Sequence, residues 1–128
     1  MHIDEVSTVV VDEAIAIHRE LGAGLYEIVY ESILAGRLEA RGLRVACQYP
    51  VPLVFDGQSF EAAFRIDLFV EDSLILEIKA VETLSKAHAW QLLTYFNLMK
   101  QPVGLFSNFS GATMKEGIRR MVNDHKLA

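Results

Sequence analysis

The sequence predicts an α/β domain in which helices largely cover both faces of a sheet. Two helical stretches come first, several short apolar strands follow, and a helix, a strand and a last helix complete the order. The 128 residues fit one domain, 1–128, and the 52% of hydrophobic residues are ample for one core. Charged residues at 23% are near the globular average, which argues against a disordered chain.

Apolar residues recurring at helical spacing, together with start and stop signals, predict the helices. The glycines of the segment 22–24 and Gly42 end the first two helices, and Ser85 can cap the third. The predicted helices span residues 4–21, 25–41, 86–100 and 113–123.

From residue 43 the apolar pattern shifts towards a period of two, which is typical of strands. Pro50 and Pro52 favour an edge strand. Asp56-Gly57 is a signal for a type I′ hairpin, and a second hairpin turn is expected at 71–73. The predicted strands are residues 43–51, 53–55, 59–64, 66–70, 74–78 and 103–106.

Two carboxylates and a lysine stand in these otherwise apolar strands. Glu77 and Lys79 share one face of their strand, and Asp67 lies in the strand before it. A buried carboxylate is costly unless it is paired or binds a metal, so an ion pair on a solvated face and a divalent-metal site are both open. Two carboxylates and a main-chain carbonyl suit Mg²⁺ or Mn²⁺, and a neighbouring ammonium group can neutralise charge that develops on a phosphate.

These residues match a known signature, since Asp67 is followed after nine residues by Glu77-Ile78-Lys79. The chain resembles the PD-(D/E)XK nuclease superfamily, although Ile66 stands where the superfamily name has Pro. Within it, the chain resembles the GxxExxY proteins over residues 9–122. The naming motif is present as GLYEIVY at 24–30, and further blocks of that group are matched at residues 17–22, 76–82, 88–95 and 103–109.

The resemblance implies a restriction-endonuclease-like core, in which helices flank a central mixed sheet. It implies a Mg²⁺- or Mn²⁺-dependent nuclease that hydrolyses phosphodiester bonds, with DNA as the expected substrate. Lys79 matches the catalytic lysine, and Gln91 matches a polar residue that faces the site from the following helix. The implied metal ligands are Asp67, Glu77, Glu27 and the main-chain carbonyl of Ile78.

Two helix faces bear on this site. Glu27 and Glu31 lie one turn apart, and we expect Glu27 to point inward and Glu31 to be solvated. His88, Gln91 and Tyr95 share a face, which is either a row pointing at a phosphate backbone or a polar face with the Tyr95 ring packed.

The net charge of −5 opposes tight binding of duplex DNA. Basic residues that could guide a phosphate backbone, or simply face water, are Arg37, Arg41, Arg44, Lys115, Arg119, Arg120 and Lys126. The alternative function is a catalytically silent module that keeps the fold for binding nucleic acid or protein. A minimal core also needs a second copy to cut both DNA strands together, which favours a homodimer.

The sequence further predicts a cytoplasmic protein. Cys47 is the only cysteine, which excludes an internal disulfide and a Cys-rich zinc site and suits a reducing compartment. Residues 1–5 lack the basic start of a secretory signal, and no apolar run approaches the roughly 18–20 residues of a membrane span.

Overall fold

The computed structural model describes residues 2–83, 85–101 and 103–122. In chain order its elements are α1 (Ile3–Leu21), α2 (Glu27–Ala40), β1 (Val45–Phe55), β2 (Gln58–Val70), β3 (Leu74–Lys79), α3 (Lys86–Met99), β4 (Val103–Asn108), α4 (Met114–Gly117) and β5 (Ile118–Val122). The strands form one five-stranded sheet in the order β1-β2-β3-β4-β5. Only β3 and β4 are parallel, and the other neighbours are antiparallel. The predicted α/β class, with helices flanking a mixed sheet, is confirmed.

Two apolar layers hold the helices on opposite faces of the sheet. Ile75 of β3 packs with Leu92 and Phe96 of α3, whereas its neighbour Leu76 packs with α1 and α2. Because adjacent side chains of a strand point to opposite faces, α3 covers one face and α1 and α2 cover the other. The buried residues that α1 and α2 contribute are Val6, Val10, Ala14, Ile17, Tyr30, Leu34, Ala35 and Leu38.

Both predicted hairpin turns are confirmed by their backbone conformation. Asp56 and Gly57 have φ values of 50° and 75°, as a type I′ turn requires, and Phe55 pairs with Gln58 across that turn. Glu71 and Asp72, at 53° and 50°, form the turn between β2 and β3. The predicted strands 59–64 and 66–70 are one continuous strand, β2, and β1 runs unbroken through both of its prolines.

The predicted last helix, 113–123, is wrong. Only the four residues of α4 are helical, and β5 then pairs antiparallel with β4. Pairing satisfies the backbone groups along the edge of β4 that a helix would leave open. Gly117 suits this change of direction, because a Cβ atom there would lie 2.0 Å from the Asn108 carbonyl oxygen. Residue 123 lies outside the described part of the chain.

The crossover helix α3 has a defined start. Ser85 Oγ accepts a hydrogen bond from the His88 N–H at 3.3 Å, and the Ser85 N–H donates to His88 Nδ1 at 3.0 Å. This reciprocal pair is a capping box, so the His88 ring serves the helix terminus. None of the helices in the described residues has the length and apolar character needed to cross a bilayer.

Candidate active site

The site is built where the ladder between β2 and β3 ends. The last pair in register is Leu68 with Leu76, and one further step brings Asp67 opposite Glu77. Asp67 Oδ2 accepts a hydrogen bond from the Ile78 N–H at 2.8 Å, and Glu77 Oε1 accepts from the Asp67 N–H at 3.4 Å. Each carboxylate is therefore held by a backbone N–H of the opposite strand.

Glu77 is deeply buried beside Asp67. Its side chain lies on the α3 face, and the residue is only 3% exposed. Burial, the nearby charge of Asp67 and a hydrogen bond with that side chain raise the pKa of Glu77 to about 9, although Lys79 opposes the shift. At neutral pH the pair therefore needs either a proton or a cation to lie so close together.

Lys79 follows Glu77 by two residues and shares its face of β3. It is half-buried, and its main-chain oxygen accepts a hydrogen bond from the Phe109 N–H at 2.9 Å, which fixes the end of the strand. Within the described residues no acidic group lies close enough to form an ion pair with its ammonium group. The ammonium group is thus placed beside Glu77 without being tied to it.

Glu31 is a third carboxylate of the site, and its predicted solvation is wrong. The residue is only 5% exposed. Its face of α2 turns toward the sheet together with Tyr30 and Leu34. Burial, and then the charge of Asp67, raise the pKa of Glu31. The apolar neighbours Tyr30 and Leu34 were a signal in the sequence that could have placed it inside.

Gln48, which sequence reasoning missed, joins Glu31 to Asp67. Its Nε2 donates to Glu31 Oε1 at 2.8 Å and to Asp67 Oδ1 at 3.1 Å. Gln48 lies opposite Asp67 because the flanking residues of β1 pair with those of β2, as Cys47 with Leu68 shows. No motif in the sequence marks this glutamine.

Glu27 lies at the rim of the site, so its predicted inward position is wrong. It is exposed at the start of α2, and its Oε2 accepts a hydrogen bond from the Ala80 N–H at 2.8 Å. Its charge contributes to the raised pKa of Glu31. Of the two glutamates on α2, Glu27 therefore contacts the segment after Lys79, and Glu31 lies buried beneath the helix.

From the α3 side, Tyr95 lies near the carboxylates, and the exposed Gln91 bonds to Tyr95. The Tyr95 ring stacks on Phe64 with a centroid distance of 4.0 Å and an angle of 1°. Burial and the charges of Glu77 and Asp67 raise the pKa of Tyr95 to about 12, and a hydrogen bond with Gln91 opposes this. The predicted row on α3 thus contributes Gln91 and Tyr95, but not His88.

The donor set fits a hard divalent cation. Carboxylate oxygens are the ligands that Mg²⁺ and Mn²⁺ prefer, and Mg²⁺ is commonly held by one or two carboxylates together with water and substrate phosphate. Across residues 2–83, 85–101 and 103–122, no three His, Cys, Asp or Glu residues gather as a group that could hold a metal alone. The pair Asp67 and Glu77 matches the smaller set, and a cation would relieve the repulsion that raises the pKa of Glu77.

Comparison with known proteins identifies the family of the chain. A family model described as the PD-(D/E)XK nuclease superfamily matches residues 4–121. The chain belongs to this superfamily. The match makes this a nuclease-superfamily domain, and the described sheet with its flanking helices has the architecture of a PD-(D/E)XK core. No curated protein and no solved structure matches the chain.

Proposed function

We propose that this PD-(D/E)XK domain, 1–128, is a Mg²⁺- or Mn²⁺-dependent nuclease that hydrolyses phosphodiester bonds in DNA. The observation that carries the proposal is the opposed pair Asp67 and Glu77, with Lys79 on the same face. Two carboxylates held this close destabilise a fold unless a proton or a cation is bound there, and a bound cation is what a nuclease of this superfamily would use. The more specific likeness to the GxxExxY proteins belongs to the same proposal.

The residues divide into metal-holding and phosphate-facing groups. Asp67 and Glu77 would hold the metal, with Glu27 and the Ile78 carbonyl as the further ligands that the family resemblance implies. A bound divalent cation supplies Lewis acidity at the phosphate and lowers the pKa of water.

The phosphate-facing groups come from β3 and α3. The Lys79 ammonium group donates to a phosphate oxygen and offsets the negative charge that develops there. Gln91 and the Tyr95 hydroxyl donate from the side of α3, and the raised pKa of Tyr95 keeps that hydroxyl protonated well above neutral pH. Together these groups orient the phosphate against the carboxylates.

The test is cleavage of plasmid and of labelled oligonucleotides, DNA and RNA, in Mg²⁺, Mn²⁺ or EDTA. We expect metal-dependent cleavage of DNA by the wild type. Asp67→Asn, Glu77→Gln and Lys79→Met should each lower the rate by at least about 100-fold, since each removes a charge at the reacting phosphate.

Glu61→Gln is the matched control, because Glu61 is an exposed acid on the same strand as Asp67. It should cleave like the wild type. A pure wild type that cleaves neither DNA nor RNA in either metal would refute the proposal, and cleavage of RNA alone would correct its substrate.

A second candidate, the catalytically silent binding module, is favoured by the charge distribution. The basic cluster expected at the end of α2 is occupied by ion pairs, in which Arg37 contacts Glu20 and Arg41 contacts Glu13 at 3.6 Å. The net charge of −5 also opposes tight binding of a phosphate backbone. If Asp67→Asn leaves the biological function of the protein intact, this candidate replaces the nuclease.

Cutting both strands of a duplex together needs two sites, so we propose that a homodimer performs that step. Light scattering on the active protein measures it. A monomer that makes double-strand breaks in a single encounter would contradict the dimer.

We place the activity in the cytoplasm. The exposed, unpaired thiol of Cys47 supports a reducing compartment, since such thiols oxidise readily elsewhere. Cell fractionation of the tagged protein tests the location, and recovery from an oxidising compartment would contradict it.

A further inference from the structure

Gln48 has an unusual backbone for a residue inside a strand. Its φ is 49°, in the left-handed region that side-chain-bearing residues rarely adopt. The other described non-glycine residues with positive φ lie at turns or at a helix end: Asp56, Glu71, Asp72 and Lys100. Backbone strain of this kind persists where the surrounding structure imposes it, and it clusters at functional sites.

This conformation interrupts the regular alternation of β1 side chains between the two faces of the sheet. Ala46 and Tyr49 both pack against the α3 layer although they are three positions apart, which regular alternation forbids. Ile66 and Phe69 of β2 do the same on the two sides of Asp67. The alternation of side chains is thus interrupted in both strands at the same point, where Gln48 faces Asp67.

Three contacts hold Gln48 in this position. Its Nε2 donates to Glu31 Oε1 at 2.8 Å and to Asp67 Oδ1 at 3.1 Å, which uses both amide protons. Its main-chain oxygen accepts from Arg65 Nη1 at 3.4 Å. The side chain therefore lies between two carboxylates, and the backbone is anchored on the neighbouring strand.

The amide also determines how Asp67 is oriented. Asp67 Oδ1 is bound by Gln48 and Oδ2 by the Ile78 N–H at 2.8 Å, so both oxygens are fixed. A neutral donor between Glu31 and Asp67 lets the two carboxylates lie close without adding charge to the site. A lysine there would neutralise them, and a glutamate would add to their repulsion.

We propose that Gln48 is the positioning residue of the site: its amide fixes the Asp67 carboxylate and couples the buried Glu31 to it. Gln48 acts through Asp67 and not on the substrate. This role deepens the proposed function and rests on it, because the carboxylate that Gln48 orients is the proposed metal ligand.

Mn²⁺ titration calorimetry on the wild type, Gln48→Ala and Gln48→Asn tests the proposal. Loss of an outer hydrogen-bond partner typically weakens metal binding 10- to 100-fold, and we expect Gln48→Ala to lose at least about tenfold. Gln58→Ala, an exposed glutamine at the hairpin tip, is the matched control and should bind like the wild type.

Gln48→Asn separates the side-chain bridge from the strained backbone. Asparagine tolerates positive φ, but its side chain is one methylene shorter and cannot reach both carboxylates. We expect it to melt at or above the temperature of Gln48→Ala and to bind Mn²⁺ as weakly. Binding as tight as in the wild type, by either Gln48 variant, overturns the proposal.

If the wild type itself binds no Mn²⁺, the proposed metal site fails, and Gln48 is judged on melting temperatures in EDTA. In the Glu31→Ala background, Gln48→Ala removes only the hydrogen bond to Asp67. If Gln48 joins the two carboxylates, its substitution should lower the melting temperature less in that background than in the wild type. Equal losses in the two backgrounds would overturn the positioning role independently of any metal.

Discussion

At the residue scale, the site depends on backbone N–H groups that the sheet itself does not use. Beyond the pair Leu68 and Leu76, the N–H groups of Asp67 and Ile78 bind carboxylates instead of carbonyl groups of the neighbouring strand. The bond from the Asp67 N–H favours the charged form of Glu77, whereas burial favours the neutral form. For Glu77 burial prevails, and its pKa is raised to about 9.

Tyr95→Phe tests the role of the hydroxyl that faces these carboxylates. The ring stack on Phe64 stays in place, so we expect a folded protein of nearly unchanged stability. Cleavage should fall about tenfold, the effect of losing one hydrogen bond of roughly 1.4 kcal/mol to the reacting phosphate. Single-turnover cleavage rates measure it, with Tyr26→Phe as the control because Tyr26 is 83% exposed. An unchanged rate would show that the hydroxyl has no part in the reaction.

The site could be predicted only in part. Asp67, Glu77 and Lys79 stand out because charges interrupt apolar strands. Gln48 does not, because its partner depends on the register of the hairpin. Counting back from the Phe55–Gln58 pair puts Arg65 opposite Gln48, and the shift between Val51 and Leu53 moves Asp67 there instead. An irregularity of two residues, which no local pattern announces, decides which side chain meets the carboxylates.

At the scale of elements, the end of the chain shows a limit of local pattern. Ile118 and Met121 are half-buried and Arg119 and Arg120 exposed, a spacing that also suits a helix. The sheet decides the outcome, because β4 offers an open edge that β5 completes. The helices α1, α2 and α3 and both hairpins were predictable, since caps, glycines and turn residues act locally.

Gly117→Ala tests how closely the backbone packs at the junction of α4 and β5. The added Cβ would lie 2.0 Å from the Asn108 carbonyl oxygen, so backbone must move. We expect a loss of about 1–3 kcal/mol in the free energy of unfolding, measured by urea denaturation. Gly36→Ala is the control: its Cβ meets nothing within 4 Å in the middle of α2, and it should gain up to about 1 kcal/mol. Equal stability of both variants would refute this close packing.

At the scale of the whole molecule, several arginines form ion pairs at the surface, whereas the buried carboxylates lie beside one another. Arg44 contacts Asp72 at 3.1 Å, and Arg120 contacts Asp4 at 2.8 Å. Exposed ion pairs of this kind contribute little to the stability of the fold. The buried acids Glu31 and Glu77 lie instead beside Asp67, whose charge raises their pKa values. The acidic site thus opposes the fold unless protons or cations are bound there.

This conflict predicts how stability depends on pH. The pKa of Glu77 is about 9 in the folded protein against 4.5 as its ordinary value, so the folded state binds the proton more tightly. The contribution to stability is full below about pH 4.5 and is lost as the pH rises through about 9. In EDTA, we expect the free energy of unfolding to fall between pH 5.5 and roughly pH 8.5. With Mn²⁺ in place of EDTA, we expect a larger gain in the free energy of unfolding at the higher pH than at the lower.

Glu77→Gln isolates this contribution, because the amide resembles the protonated acid in shape and carries no charge. Urea denaturation of the wild type and the variant at each pH gives the difference, in which the other titrating groups cancel. In EDTA the difference should move in favour of Gln as the pH rises, and the variant should lose most of the stabilisation by Mn²⁺. A difference that stays constant from pH 5.5 to about 8.5 would mean that Glu77 ionises as easily in the folded protein as in the unfolded chain. The unfavourable interaction that we assign to the buried pair Asp67 and Glu77 would then be absent.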